Sequence, residues 1–183
     1  MMKYLPVSLV LLCLLTGCGT ASPAMRRNGT DLLPAGARVW TEAMRSEERK
    51  NTYRVTIRMK NTAITGLCLL KKDGGGWKGT FINEFGARAF DFTVNPRQCE
   101  LREVIAGMDR WYIRRTLASD LHFLFEIDHP QAPFRRKTTR VEEGQTLCVR
   151  YGRGKSVTRS PDGTLTLKNL SRDITYTLVP INE

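Results

Sequence analysis

The chain has 183 residues, with 29 Lys and Arg against 18 Asp and Glu and a formal net charge of +11. That length suits one domain burying roughly 70% of its unfolded surface, and with neither an internal repeat nor a composition shift it argues against a second domain. A surface this basic can face anionic lipid headgroups, nucleic acid or an acidic protein, and the export signal at the start of the chain ranks nucleic acid last.

Lys3 precedes an apolar run from Leu5 to Leu15 that closes on Leu15-Thr16-Gly17-Cys18. The run is shorter than the ~20 residues a membrane-spanning helix needs, so it reads as a secretion signal over residues 1–17. A leucine three positions before a cysteine, with a small residue just before it, resembles a bacterial lipobox, in which Cys18 becomes the lipidated first residue. The chain is then anchored to a membrane without spanning it, since buried acyl chains contribute ~0.8 kcal/mol per methylene. Residues 18–37, rich in Ser, Pro, Gly, Thr and Asn, read as a flexible tether. In the sorting system this lipobox resembles, an aspartate after the cysteine retains a lipoprotein at the inner membrane. Gly19 stands there, which implies the outer membrane, facing the periplasm.

The remainder, 38–183, is expected to be a single domain. Arg38 to Asn51 fits either a helical face or a strand edge, and the strand edge is preferred. Tyr53 to Lys60 alternates apolar and polar residues, the period-two signal of a half-buried strand. Gly66 to Lys72 forms the next strand and ends at Asp73-Gly74-Gly75-Gly76, glycines able to take the positive φ of a hairpin loop. Trp77 to Ile82 returns, Asn83-Glu84-Phe85-Gly86 turns, and Arg88 to Val94 places Phe90, Phe92 and Val94 on one face. After a turn at Asn95-Pro96-Arg97, Gln98 to Val104 alternates weakly.

The period then changes. Asp109 has the chemistry of an N-cap, and Trp111, Tyr112, Ile113, Leu117, Leu121, Leu124 and Phe125 recur at helical spacing. Glu126 to Glu143, with Pro130, Pro133 and the basic run Phe134-Arg135-Arg136-Lys137, reads as a loop or ragged strand. Strands resume over 146–151, 156–159, 164–168 and 174–179, with a turn at Ser160-Pro161-Asp162-Gly163. The fold class is therefore α+β, mainly antiparallel β, with about eight to ten strands and one amphipathic helix inserted midway.

Five cysteines are present; Cys13 leaves with the signal and Cys18 carries lipid. Cys68, Cys99 and Cys148 remain, an odd number that allows one disulfide plus a thiol or three buried thiols. No metal-binding spacing occurs, and His122 and His129 lack a partner at such spacing. Cys99 or Cys148 with a histidine is a candidate nucleophile only by proximity in a list, on no recognisable strand-to-helix elbow. Glu47 with Glu48 and Glu142 with Glu143 are adjacent pairs in polar turns. The expectation is a non-enzymatic chain with no metal and no cofactor.

Strands with one apolar face, a single helix inserted midway and a lipobox leader resemble the LolA/LolB superfamily of periplasmic lipoprotein carriers and receptors. Ile64-Thr65-Gly66-Leu67 with its hairpin, Asn83-Glu84-Phe85-Gly86 and the helix carry the likeness. The resemblance implies an incomplete, half β-barrel around a helical lid, with an apolar cavity for acyl chains of lipid or lipoprotein cargo. Its lining would be Val55, Ile57, Met59, Phe81, Phe90 and Phe92, with Trp111, Leu117 and Leu121 from the helix. The family's receptor has a protruding loop with an exposed apolar residue, and by position Trp77 would be the membrane-touching side chain. The same alternation equally describes a filled core, and the alternative reading is an envelope scaffold or accessory subunit binding a protein partner through its basic surface.

Overall fold

The computed structural model describes residues 38–41, 43–46, 50–134 and 137–181. The expected signal segment, the expected lipidation site Cys18 and the expected tether lie outside them. Ten strands in one antiparallel sheet and one α-helix make up the described fold. All of the described elements and the buried core fall within residues 38–181, so a chain beginning at Gly19 contains everything that builds them.

The strands are β1 (Lys50–Met59), β2 (Thr62–Asp73), β3 (Gly76–Asn83), β4 (Arg88–Val94) and β5 (Cys99–Arg102). After the helix α1 (Trp111–Glu126) come β6 (Thr138–Glu143), β7 (Thr146–Tyr151), β8 (Lys155–Arg159), β9 (Leu165–Asn169) and β10 (Ile174–Pro180). The sheet order is β5-β4-β3-β2-β1-β10-β9-β8-β7-β6. Every neighbour but one is a sequence neighbour; the exception is β1 with β10, which join the two ends of the domain through pairs such as Val55 with Leu178 and Ile57 with Tyr176. The outermost strands β5 and β6 do not pair, so the sheet is open, and α1 is the segment that connects them.

Period two sets which side is which. Tyr53, Val55 and Ile57 are buried while Arg54 and Arg58 are exposed, and Trp77, Phe81, Phe90, Phe92 and Val94 turn to the same interior. The glycine cluster makes the expected tight turn: Asp73 pairs with Gly76, and Gly74 and Gly75 take φ of +52° and +83°. Gly79 has a different reason. It faces inward between Leu70 and Phe92, and a Cβ there would run into the Phe92 ring and stand 2.8 Å from Leu70 Cδ2. Gly79→Ala is therefore expected to destabilise by about 1–3 kcal/mol through overpacking, read as a lowered urea midpoint at unchanged slope.

Two expectations change and one open alternative is resolved. Among the described residues ahead of β1 there is no strand edge: Val39 and Trp40 are buried, a 3₁₀ turn covers Ala43–Arg45, and the strand β1 takes in Lys50 and Asn51. Trp40 is held there by long-range partners, donating through Nε1 to Leu124 O at 2.7 Å and through its backbone N to Asp128 Oδ2 at 2.8 Å. Of the loop or ragged strand expected over Glu126 to Glu143, the second half is strand β6, whose side chains are mostly exposed because it is an edge strand and leaves no apolar alternation to read. Asp109 is not the N-cap. Arg110 occupies that position without a side-chain cap, and Asp109 instead pairs with the Arg114 guanidinium at 2.7 Å.

Candidate functional site

Helix α1 lies against the interior face of the sheet. Its amphipathic stripe is fully buried from Leu117 onward, at Leu117, Leu121, Leu124 and Phe125; in the first turn Ile113 packs half-buried against the core, whereas Trp111 and Tyr112 are exposed. Beneath the helix is a void of about 20 Å³ lined entirely by side chains of apolar character around Val55, Ile57, Phe81, Phe90 and Phe92, with Leu117 and Leu121 above them. That volume admits roughly one water-sized group, and an apolar void of this kind stays dry. The interior is thus filled by α1 in this conformation.

Aromatic rings connect this void to a second, smaller pocket. Phe81 stacks on Phe90 at 5.3 Å between centroids, Phe92 stacks on Phe125 at 5.4 Å, and Phe125 stacks on Trp40 at 5.0 Å. Phe125 lines both spaces. Beyond it is a cavity of about 10 Å³ bounded by Trp40, Trp77, Arg45, Lys72, Glu126 and His129. Lys72 holds its ammonium 4.7 Å above the Trp77 ring and donates to Gly75 O at 3.1 Å. Glu126, the last residue of α1, is 1% exposed and neither of its carboxylate oxygens has a hydrogen-bond partner. Burial pushes its pKa up to about 7, against the pull of Lys72 and Arg45.

A polar latch fastens the middle of the helix. Asp120 is fully buried and accepts from Asn169 Nδ2 at 2.9 Å, Tyr176 Oη at 2.8 Å and Lys155 Nζ at 2.7 Å. Lys155 Nζ also donates to Ser119 O at 3.0 Å and Ser119 Oγ at 2.8 Å. These three oxygens take all the protons an ammonium has, so the Ser119–Lys155 contact is a fastening and not a nucleophile beside a free base. Burial first, then Asp120, raises the Tyr176 hydroxyl pKa well above its ordinary value, keeping it a donor.

No known family model and no curated protein matches this chain.

Seven of the expected lining residues meet around the void: Val55, Ile57, Phe81, Phe90, Phe92, Leu117 and Leu121. Met59 does not reach it and packs half-buried at the core margin. Trp111 is a correction. It is 74% exposed, with its ring 6.1 Å from that of Tyr112, on the outward side of a first turn whose Ile113 packs against the core and whose Arg114 donates to Leu101 O. Trp77 is a second correction, being 1% exposed and not a membrane-touching tip. It shares the inward face of β3 with Gly79 and Phe81, two and four residues on, so the strand's own period turns it into the core.

The helical spacing did single out Leu124 and Phe125, but nothing local marked Cys68, Tyr176 or Leu178 as lining, nor Glu126 as buried. Among the described residues Cys68, Cys99 and Cys148 are free thiols. Burial pushes Cys68 up to about 12, and burial with Glu100 pushes Cys99 to about 12, so both are protonated at neutral pH. His122 sits 3.3 Å from Pro96 O, and desolvation lowers its pKa. Among the described residues no three His, Cys, Asp or Glu side chains are placed to hold a metal ion, and no helix is long and apolar enough to cross a membrane.

Proposed function

We propose that this chain is an outer-membrane lipoprotein, anchored through Cys18 and facing the periplasm, whose open sheet is a LolA/LolB-like half-barrel that takes up acyl chains of lipid or lipoprotein cargo. The observation that carries this reading is the dry void between Phe81, Phe90 and Phe92 and the helix residues Leu117 and Leu121. It lies under the one element that connects the two unpaired sheet edges. An acyl chain asks for apolar area and no polar constellation, which fits such a lining. In this reading α1 is the resident occupant, and cargo enters as the helix lifts.

Magnitudes decide whether that exchange is feasible. Uncovering Leu117, Leu121, Leu124 and Phe125 costs about 6–12 kcal/mol at ~1.5–3 per side chain, and a twelve-carbon tail burying its methylenes at ~0.8 each returns about 9. The two nearly cancel. The contacts of Asp120 with Lys155, Asn169 and Tyr176 add to the cost of lifting α1, so net uptake depends on contacts of the cargo beyond its tail.

The test is native mass spectrometry with lipid extraction on the chain from Gly19 onward, followed by titration with dodecanoate. Bound lipid or micromolar dodecanoate binding is expected, weakened at least tenfold by Leu121→Trp, which fills the void, or by Leu117→Phe if the first variant does not fold. A ligand-free mass that resists loading sinks the proposal. It would favour the envelope scaffold, the reading to which the small void already lends weight, in which the filled core supports a basic partner-binding surface.

A further inference from the structure

An acyl ligand has a head as well as a tail, and the pocket beyond Phe125 has no part in the account so far. Its chemistry is unlike the void. Two tryptophans wall it, Lys72 of β2 and Arg45 of the 3₁₀ turn bring positive charge, and His129 closes one side. Asp128 also borders it, but that carboxylate is engaged by Trp40 N and by the Arg140 guanidinium at 3.1 Å. Glu126 remains, a carboxylate 1% exposed with both oxygens unpartnered. A buried polar group without a partner is costly, and in a native fold it calls for an explanation, a missing ligand among them.

Resting on the acyl-chain reading above, we infer that this pocket is the head-group site: it takes an anionic oxygen group, carboxylate or phosphate, on Lys72 and Arg45, with Glu126 in its acid form donating to the same group. Phe125 is the partition. It stacks between Phe92 on the void side and Trp40 on the pocket side, so a swing of the Phe125 ring out of that stack, with the helix end at Glu126 in place, merges the two spaces into one slot with an apolar floor and a basic end.

The charges around Glu126 make the binding pH-dependent. Lys72 and Arg45 face it with positive charge, Asp128 is paired with Arg140, and desolvation, with Lys72 and Arg45, lowers the His129 pKa. With its pKa near 7, Glu126 offers a proton to an anionic head below neutrality and repels it as a carboxylate above.

The test compares ligands that share one tail. Dodecanoate, monododecyl phosphate and dodecanol are titrated into the chain from Gly19 onward at pH 6 and pH 8. At pH 6 at least one of the two anions is expected to bind about tenfold more tightly than dodecanol, and which one does so separates a carboxylate from a phosphate head. Lys72→Met should erase that advantage and Lys72→Arg should retain it, with the unfolding midpoint checked for each. Wild-type affinity for the anion should fall severalfold at pH 8, and Glu126→Gln should flatten the dependence. Equal binding of all three ligands, indifferent to Lys72→Met, overturns the head-group site and leaves the acyl reading standing. A pH dependence that survives Glu126→Gln overturns the role of that proton. If none of the three binds, the acyl reading falls and the head-group site with it.

Discussion

Asp120→Ala is expected to be among the most destabilising single changes in the domain, costing about 3–5 kcal/mol. Asp120 is 0% exposed and receives three donors from three elements: Lys155 at the start of β8, Asn169 at the end of β9 and Tyr176 in β10. Removing it leaves a lysine whose side chain is only 16% exposed without its counter-charge, together with a buried hydroxyl and a buried amide. The cost of stranding such groups exceeds the net worth of the pair itself. Asp120→Asn keeps the side-chain volume and one of the two accepting oxygens while removing the charge, so it should lose less. Urea unfolding of the three proteins at pH 7 checks the order. A loss under 1 kcal/mol for Asp120→Ala would mean that the latch contributes little to holding α1.

Glu126→Gln is expected to act in the opposite direction. The folded-state pKa of Glu126, about 7, lies above its ordinary value of 4.5, so the folded protein holds a proton that the unfolded chain releases more readily. Stability from this group is fully present below about pH 4.5 and declines as pH rises to about 7, beyond which the deficit is constant. At 1.36 kcal/mol per pKa unit the deficit is about 2–3 kcal/mol once partial hydration of the charged form is allowed for. The glutamine variant should therefore match wild type near pH 4.5 and exceed it by about that amount at pH 8. His122 and His129, whose pKa values are lowered by desolvation, contribute with the reverse sign, losing stability as pH falls. The difference between the two proteins removes that shared background. Equal stabilities at pH 8 would show that Glu126 is hydrated in solution, which would also weaken the case for its proton in head-group binding.

The two substitutions bear on the same helix from different positions. Asp120 fastens its middle to β8, β9 and β10, and Glu126 leaves its end under electrostatic strain above neutral pH. A lid has to be attached and yet releasable, and this division of favourable and unfavourable polar burial along one helix provides both.

The sheet was legible from sequence to the extent that its determinants are local. Alternation from Tyr53 to Lys60 and from Arg88 to Val94, the glycines at 74 and 75 and the helical spacing from Trp111 to Phe125 depend on neighbours within a few residues. The corresponding elements form, with the expected inward faces except in the first turn of the helix, where Trp111 and Tyr112 are exposed. Where a strand has no buried face the signal vanishes, as in edge strand β6. Trp77 was misplaced because a likeness of position along the chain was set against the strand's own period, and the period won.

Hydrophobic pattern and turn chemistry alone therefore determined that this chain builds an antiparallel sheet with one helix across it, because burial of an apolar face needs only a repeating local rule. Only the tertiary structure decided how full the interior is, since an inward side chain is inward whether the space beyond it is empty or occupied by Phe125. It also decided the fate of the charges: Asp120 and Glu126 lie six residues apart on one helix, yet the sheet supplies three donors to the first and none to the second.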